Sequence, residues 1–155
     1  MKRKQLLIVA HAPSANTLKL AEALERGARH PDIDGVDVRR LAPLDAGPDD
    51  IRGCDAIILF TTENLGYMSG ALKDFFDRSY YPVLEEKQGL PCAIVIRAGH
   101  DGTGTRRALE SILTGLRWPL AQEPLTLRGD WQETFVAQAE ELGMTVAAGL
   151  DAGIL

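Results

Sequence analysis

Residues 55–61, DAIILFT, contain an uninterrupted apolar run from Ala56 to Phe60. A strand that is covered by helices on both faces of a sheet is apolar at every position, whereas an edge strand alternates. The run therefore predicts a strand at the centre of a parallel sheet. A fold that places this strand at a sheet edge is disfavoured.

Four other segments have the character of strands. The continuous apolar ones are residues 4–10 (KQLLIVA) and 90–98 (LPCAIVIRA), and the alternating ones are 35–41 (GVDVRRL) and 124–128 (PLTLR). Apolar residues at helical spacing predict helices between and after them, at 16–29, 68–79, 104–116 and 131–148. Residues 43–54 are predicted to form a loop with one helical turn. This alternation indicates an α/β fold with a parallel sheet.

The two kinds of strand select one order. With the continuous strands in the centre and the alternating ones at the edges, the prediction is a doubly wound, five-stranded parallel sheet of order 2-1-3-4-5. The order 3-2-1-4-5 would put residues 55–61 at an edge. All 155 residues are expected to form a single domain, residues 1–155. Ligands of such sheets bind beyond the carboxyl ends of the strands, here between strands 1 and 3.

The loop after the first strand reads HAPSANT, residues 11–17. A helix N-terminus offers free N–H groups and the positive end of the helix dipole, and both favour a phosphate. An ordinary capped helix without a ligand fits the same residues, and His11 could pack rather than contact an anion. The nucleotide motifs GxxxxGK[ST] and GxGxxG are absent from this loop. The candidate phosphate-binding residues are His11, Ser14, Ala15, Asn16 and Thr17.

The loop after the third strand, TTENLGYMSG (61–70), is predicted to be irregular, too rich in Gly and Asn to continue the strand. Its amides could line the edge of a flat heterocycle, and Tyr67 or Leu65 could cover a face of the ring. A plain connection is the alternative, and Met68 is assigned to the core stripe of the next helix. The candidate residues are Thr61, Thr62, Glu63, Asn64, Leu65, Gly66 and Tyr67.

The loop after the fourth strand, RAGHDGTG (97–104), is glycine-rich, which permits close approach of a ligand. A flexible turn is the alternative, and His100 could be a proton donor, a stacking wall or an exposed side chain. Arg97, Arg106 and Arg107 could attract an anionic nucleotide, and for Arg106 and Arg107 a solvated helix face is the alternative. The candidate binding residues are Ala98, Gly99, His100, Gly102 and Gly104.

Several classes of function are disfavoured. The net charge of −5 argues against nucleic acid as the main partner. The first apolar run is too short for a signal peptide, and no run approaches the roughly 20 residues of a membrane span, so a cytoplasmic location is expected. Cys54 and Cys92 are predicted to be buried thiols, and no residues have the spacing of a metal site or of a nucleophile elbow. The acidic cluster that a phosphoacceptor domain needs is absent from this sequence. A predicted phosphate site and flat-ring pocket without a catalytic nucleophile indicate a bound cofactor that carries the chemistry.

Two segments resemble the flavodoxin-like superfamily of FMN-binding proteins. PSANTLKLAEAL is similar to its phosphate loop, S/T-x-T-G-N-T, with Ala15 in the glycine place and Ala12 where the first hydroxyl is usual. TTENLGYMSGALKDFFDR is similar to the P-T-x-F-G-x-M-x-x-x-x-K-x-F-x-D-R segment of flavin-dependent NAD(P)H:quinone and FMN reductases, with Thr62 for the proline and Leu65 for the phenylalanine. The residues that match this second segment are Gly66, Met68, Lys73, Phe76, Asp77 and Arg78. AGHDGTG looks like the third flavin loop.

The resemblance implies FMN as cofactor, NAD(P)H as co-substrate and a quinone or similar small molecule as electron acceptor. Hydride transfer in such reductases needs no obligatory side-chain acid or base, so no catalytic side chain is expected. A flavodoxin-type electron carrier is an alternative, although the chain is only mildly acidic and has Tyr67 as its one obvious aromatic residue near the ring. A binding module that has lost FMN is a second alternative, because of Ala12 and Ala15. Such families often contain dimers or tetramers, which implies a homo-oligomer with residues 78–86 as a contact region.

Overall fold

The computed structural model of the chain describes residues 2–155 and contains one sheet between two layers of helices. The strands within this range are β1 (Lys4–Ala10), β2 (Val36–Leu41), β3 (Ala56–Asn64), β4 (Tyr67–Met68), β5 (Cys92–Ala98) and β6 (Leu125–Arg128). The α-helices are α1 (Ala15–Ala28), α2 (Pro48–Arg52), α3 (Gly70–Val83), α4 (Thr103–Leu116) and α5 (Thr134–Asp151), with a 3₁₀ turn at Pro43–Asp45. None of these helices combines the length and the apolar character needed to cross a bilayer.

The strands lie in the order β2-β1-β3-β5-β6, and every neighbouring pair in this series is parallel. The predicted order 2-1-3-4-5 is therefore confirmed, because β5 and β6 are the fourth and fifth strands of the prediction. The additional strand, β4, pairs with the end of β3 in the antiparallel direction.

The central strands are apolar throughout because both of their faces are buried. In β3, Ile58 and Phe60 join the apolar cluster under α1 and α5, whereas Ile57 and Leu59 join the cluster under α2, α3 and α4. All four side chains are fully buried. The edge strand β2 buries Val36 and Val38 only, on one face, which is why its sequence alternates.

The prediction for the segment after residue 61 is wrong in one respect. β3 does not stop there but continues to Asn64, and a two-residue turn then leads into β4. The turn residues Leu65 and Gly66 have positive φ angles of 53° and 75°, as a type I′ hairpin turn requires. The sequence suggested a loop because its residues are poor strand formers, but hairpin pairing satisfies their backbone groups.

The predicted helix over 68–79 is shifted. It begins at Gly70, because the Ser69 hydroxyl caps it by accepting the Leu72 N–H at 3.1 Å. Met68 belongs to β4 and is nevertheless 2% exposed, so its predicted place in the core is right. The last helix, predicted over 131–148, also begins later, at Thr134. Trp131 therefore lies before its first turn, and it is half-buried against the core.

Cys54 and Cys92 are buried free thiols, as predicted. Burial raises the pKa of Cys54 to about 12 and also raises the pKa of Cys92. Neither sulfur is therefore an available nucleophile near neutral pH.

An ion-pair cluster connects α1 to the edge strand β2. Arg40 Nε donates to Glu25 Oε1 at 2.8 Å, and Arg29 Nε donates to Glu25 Oε2 at 3.0 Å. The hydrogen bond from Arg40 is the main cause that holds the pKa of Glu25 below its ordinary value of 4.5. A carboxyl whose pKa is lowered by folding stabilises the native state above its unfolded pKa.

Replacing Glu25 with glutamine is therefore expected to lower the free energy of unfolding at pH 7. This loss should become smaller as the pH falls. The difference in unfolding free energy between parent and variant should shrink from about pH 4.5 downwards and vanish below the native pKa of Glu25. Urea unfolding across this pH range measures it. A constant difference at every pH would contradict the prediction.

Candidate functional site

The loops after β1, β3 and β5 meet at the carboxyl edge of the sheet, because these three strands are adjacent and parallel. In the register, Ala10 pairs with Phe60 and Thr62 pairs with Arg97. The His11 N–H donates to the Phe60 carbonyl oxygen at 2.9 Å, so the first loop begins while still bonded to β3. The sheet topology thus brings the three predicted segments together.

The first loop ends in a capping box at the start of α1. The Ser14 N–H donates to Thr17 Oγ1 at 2.9 Å, and the Thr17 N–H donates to Ser14 Oγ at 3.2 Å. Thr17 is consequently 6% exposed, and its hydroxyl is engaged with Ser14. Ala15 and Asn16 are exposed, and their amides lie in the first turn, where a helix offers them no acceptor.

Charge makes the start of α1 different from the start of α4. No acidic side chain lies in the first turn of α1. At α4, the Asp101 carboxylate accepts the Thr103 N–H at 3.0 Å, and this contact lowers the pKa of Asp101. The N-terminus of α4 thus has an anion of its own, while that of α1 is open to an external anion.

His11, Arg97 and Arg106 offer a ligand less free positive charge than the sequence suggested. Burial lowers the pKa of His11 from its ordinary value of 6.5, so its imidazole is neutral at pH 7. Arg97 Nη1 donates to the Ala98 and Leu127 carbonyl oxygens, with the guanidinium 5.0 Å from the centre of the Phe135 ring. Arg106 forms ion pairs with carboxylates of Glu110 and Glu123.

The hairpin of β3 and β4 has two different faces. Thr61 is fully buried, and its hydroxyl accepts the Ser69 N–H at 3.0 Å. Thr61 can therefore offer a ligand only its backbone. On the opposite face, Thr62 Oγ1 donates to Asn64 Oδ1 at 2.8 Å. Tyr67 pairs directly with Asn64 and is 39% exposed, so this face carries an accessible aromatic ring.

The third loop is held against the hairpin by two close contacts. The Glu63 carboxylate accepts the His100 N–H at 3.3 Å, so this side chain lies between the loops rather than in open solvent. A Cβ atom at Gly104 would lie 2.2 Å from the Gly66 carbonyl oxygen, so only glycine allows the hairpin turn to approach α4 this closely. His100, Gly99 and Gly104 are exposed, whereas Ala98 and Gly102 are buried.

Two residues that hold the site together were not predicted for this role. Ser69 is 1% exposed and joins Thr61 to the start of α3. Its serine-before-helix position is a capping signal that could have revealed it. Gly104 was predicted as a ligand contact, but its spacer role against Gly66 depends on two segments far apart in sequence, so no local signal could reveal it.

The profile of the family described as "NADPH-dependent FMN reductase" matches residues 4–132. The chain belongs to this family. The match covers β1 to β6 and with them all three loops of the carboxyl edge. The family assignment agrees with the flavodoxin-like resemblance that the phosphate-loop and hairpin segments suggested.

Individual relatives point to the same fold. A flavodoxin of Aquifex aeolicus (strain VF5) is 30% identical over 112 residues, which are 72% of this chain and 60% of that relative. A flavodoxin from the domain Archaea superimposes with a TM-score of 0.79 at 19% identity, over 94% of this chain and 98% of that one. The rubredoxin oxygen:oxidoreductase of Desulfovibrio gigas superimposes with a TM-score of 0.78 at 16% identity, over 99% of this chain and 38% of that one. The fold is therefore flavodoxin-like.

Proposed function

We propose that this family member binds FMN at the carboxyl edge of the sheet and uses it to move electrons from NAD(P)H to a small-molecule acceptor. The observation that carries the proposal is that the three loops meet at the carboxyl edge of the sheet, where the first of them leads into the open N-terminus of α1. The family assignment supports FMN and NADPH as ligands, and the fold places the loops where flavodoxin-like sheets hold ligands.

The phosphate of FMN fits the first turn of α1. The exposed amides of Ala15 and Asn16 can donate to it, and no carboxylate of the helix start repels it. Burial lowers the pKa of His11, and residues 11–18 contain no lysine or arginine, so we infer that amides and the helix dipole are the main groups that hold the dianion. Ser14 and Thr17 shape this turn through their capping box and leave it rigid.

We infer that the flavin ring lies against the hairpin and the third loop, which contact each other at Glu63 and His100. The backbone from Glu63 to Tyr67 offers amides along one edge, and Tyr67 can cover a face. The contact between Glu63 and His100 joins the hairpin to the third loop, so that the two form one continuous wall that can orient a flat ligand. The remaining candidates, Ala98 to Gly104, would lie at the other edge.

Bound FMN would supply the chemistry of hydride and electron transfer. Overall, NAD(P)H, one proton and a quinone give NAD(P)⁺ and a hydroquinone, so hydride and proton together supply the two hydrogens of the product. The chain would bind the two substrates in turn and would offer backbone donors of the hairpin to the ring edge. Nothing in this sequence of events requires a side chain to carry a proton.

A flavodoxin-type electron carrier is the second candidate function. The Aquifex aeolicus relative that is 30% identical is a flavodoxin, which favours this alternative. A carrier would hold FMN in the same way but would exchange electrons with protein partners instead of oxidising NAD(P)H directly.

The test begins with purified protein that is incubated with FMN and passed through a desalting column. We expect flavin absorbance to stay with the protein, to bleach when NADPH or NADH is added without oxygen, and to return when a benzoquinone follows. Retained flavin that neither nicotinamide bleaches would favour the carrier. If the protein retains no flavin at micromolar FMN, both flavin hypotheses fail and the alternative is a binding module that has lost FMN.

A further inference from the structure

The tip of the β3–β4 hairpin carries an apolar side chain where local energetics oppose one. Leu65 has a φ of 53°, in the left-handed region that costs an L-residue with a branched side chain. Type I′ turns strongly prefer asparagine, aspartate or glycine at this position. The relative exposure of Leu65 is 105%, so it obtains no stabilisation from packing within the chain. Both its backbone and its side chain are therefore unfavourable in isolation.

The position of Leu65 is nevertheless well defined. The Glu63–Met68 and Asn64–Tyr67 pairs anchor the hairpin, and Gly66 touches α4 at Gly104. The tip is therefore held in place at the carboxyl edge of the sheet, and the isobutyl group of Leu65 is exposed there. Tyr67, 39% exposed, lies on the same hairpin, which therefore exposes two side chains with apolar parts.

We propose that Leu65 is a specificity-determining contact for the electron acceptor and that it favours acceptors with an apolar ring or alkyl chain. An exposed leucine alone would carry no weight, since soluble proteins expose many. Here the leucine is kept at an unfavourable backbone position on the hairpin of the proposed flavin site, and strained residues of this kind are associated with function. An apolar acceptor that approaches the ring would bury the isobutyl group and release water from it.

This inference rests on the proposed function and deepens it. The reaction is the one given above, in which NAD(P)H, one proton and a quinone give NAD(P)⁺ and a hydroquinone. Leu65 takes no part in that chemistry. Its contribution is to the binding of the quinone. A hydrophilic anionic acceptor such as ferricyanide, two of which take up the two electrons one at a time, would gain nothing from the contact.

The variant Leu65→Asn separates the effect of the backbone conformation from the effect of the apolar side chain. Asparagine suits the left-handed backbone, so the melting temperature should rise by about 2–4 °C. Loss of the apolar group should lower kcat/KM for an alkyl naphthoquinone such as menadione about tenfold, chiefly through KM. Because Leu65 belongs to the hairpin that is proposed to hold the flavin, kcat/KM for menadione is expressed relative to kcat/KM for ferricyanide in each variant, and this ratio should fall about tenfold in Leu65→Asn. Leu65→Met, which keeps an apolar group at the same backbone position, should retain the parent preference for menadione.

A second measurement keeps this inference apart from the proposed function. Carbon-13 methyl resonances of Leu65 should shift when menadione is added, and the Leu65→Asn variant should retain less menadione in equilibrium dialysis, with or without FMN. If the protein takes up no FMN, the proposed function fails while this binding readout still decides the role of Leu65. Equal menadione binding by parent and Leu65→Asn, or an unchanged kcat/KM for menadione, would overturn the inference.

Discussion

Replacing Asn16 with aspartate is expected to weaken FMN binding at least about 100-fold. The change adds one negative charge in the first turn of α1 without changing side-chain size, beside the position proposed for a phosphate dianion. Like charges a few ångströms apart at a partly screened surface repel by a few kcal/mol, about 4 kcal/mol at 4 Å for an effective dielectric constant near 20. Because screening weakens this repulsion, the loss should shrink in high salt. Fluorescence titration of FMN with the purified protein measures the affinity.

The fold should not suffer in this variant. Asn16 is exposed, and an acid near a helix N-terminus usually stabilises the helix slightly. This makes Asn16 a better probe than Thr17, which is buried in the capping box, so that changing it would disturb the fold and the site together.

Two control variants isolate the effect of charge at Asn16. The variant Gln88→Glu adds the same charge to an exposed residue in the segment that leads to the amino end of β5, and it should bind FMN like the parent. Asn16→Ala removes the amide without adding charge and reports any hydrogen bond from that side chain. FMN affinity of Asn16→Asp within threefold of the parent would show that the phosphate lies elsewhere.

Replacing Gly27 with alanine is expected to lower the free energy of unfolding strongly. A Cβ atom at Gly27 would lie 1.9 Å from the Glu140 carbonyl oxygen of α5, and one at Gly143 would lie 2.1 Å from the Leu24 carbonyl oxygen of α1. The two helices thus approach backbone to backbone, and backbone atoms cannot rotate away. Overpacking of this severity costs about 3 kcal/mol, which corresponds to a melting temperature lower by about 6–12 °C in a protein of this size.

The matched control is Gly70→Ala at the first position of α3. No atom lies within 4 Å of a Cβ built there, so alanine should fit freely. Alanine also restricts the unfolded chain, and the expected outcome is a gain of about 0.4–1 kcal/mol. Calorimetric melting of parent and variants measures both changes. If Gly27→Ala and Gly70→Ala melt alike, the close approach of α1 and α5 is not a determinant of stability.

The strand order could be predicted from the sequence because it depends on burial, and burial is recorded residue by residue. A strand with both faces covered must be apolar at every position, as Ile57 to Phe60 are, whereas Val36 and Val38 alternate on an exposed edge. The same order predicts which loops share one edge of the sheet. The start of α1 could likewise be located, because Ser14 and Thr17 are local capping residues.

The end of β3 could not be predicted in this way. Whether Glu63 and Asn64 form a strand depends on partners at Tyr67 and Met68 and on a turn that accepts positive φ at Leu65. The positive charge that the arginines offer a ligand could not be predicted either, because that of Arg106 depends on its ion pairs with Glu110 and Glu123.

By itself, the sequence determined the α/β class, the order of the strands and the edge at which the loops meet, since each follows from hydrophobic pattern and short-range capping. Only the tertiary structure decided how those loops are built. It turned the predicted irregular loop into a hairpin, buried the hydroxyls of Thr61 and Thr17, and set the hairpin against α4 through Gly66 and Gly104. The physical reason is that hydrogen-bond partners and close backbone contacts between distant segments exist only once the chain is folded.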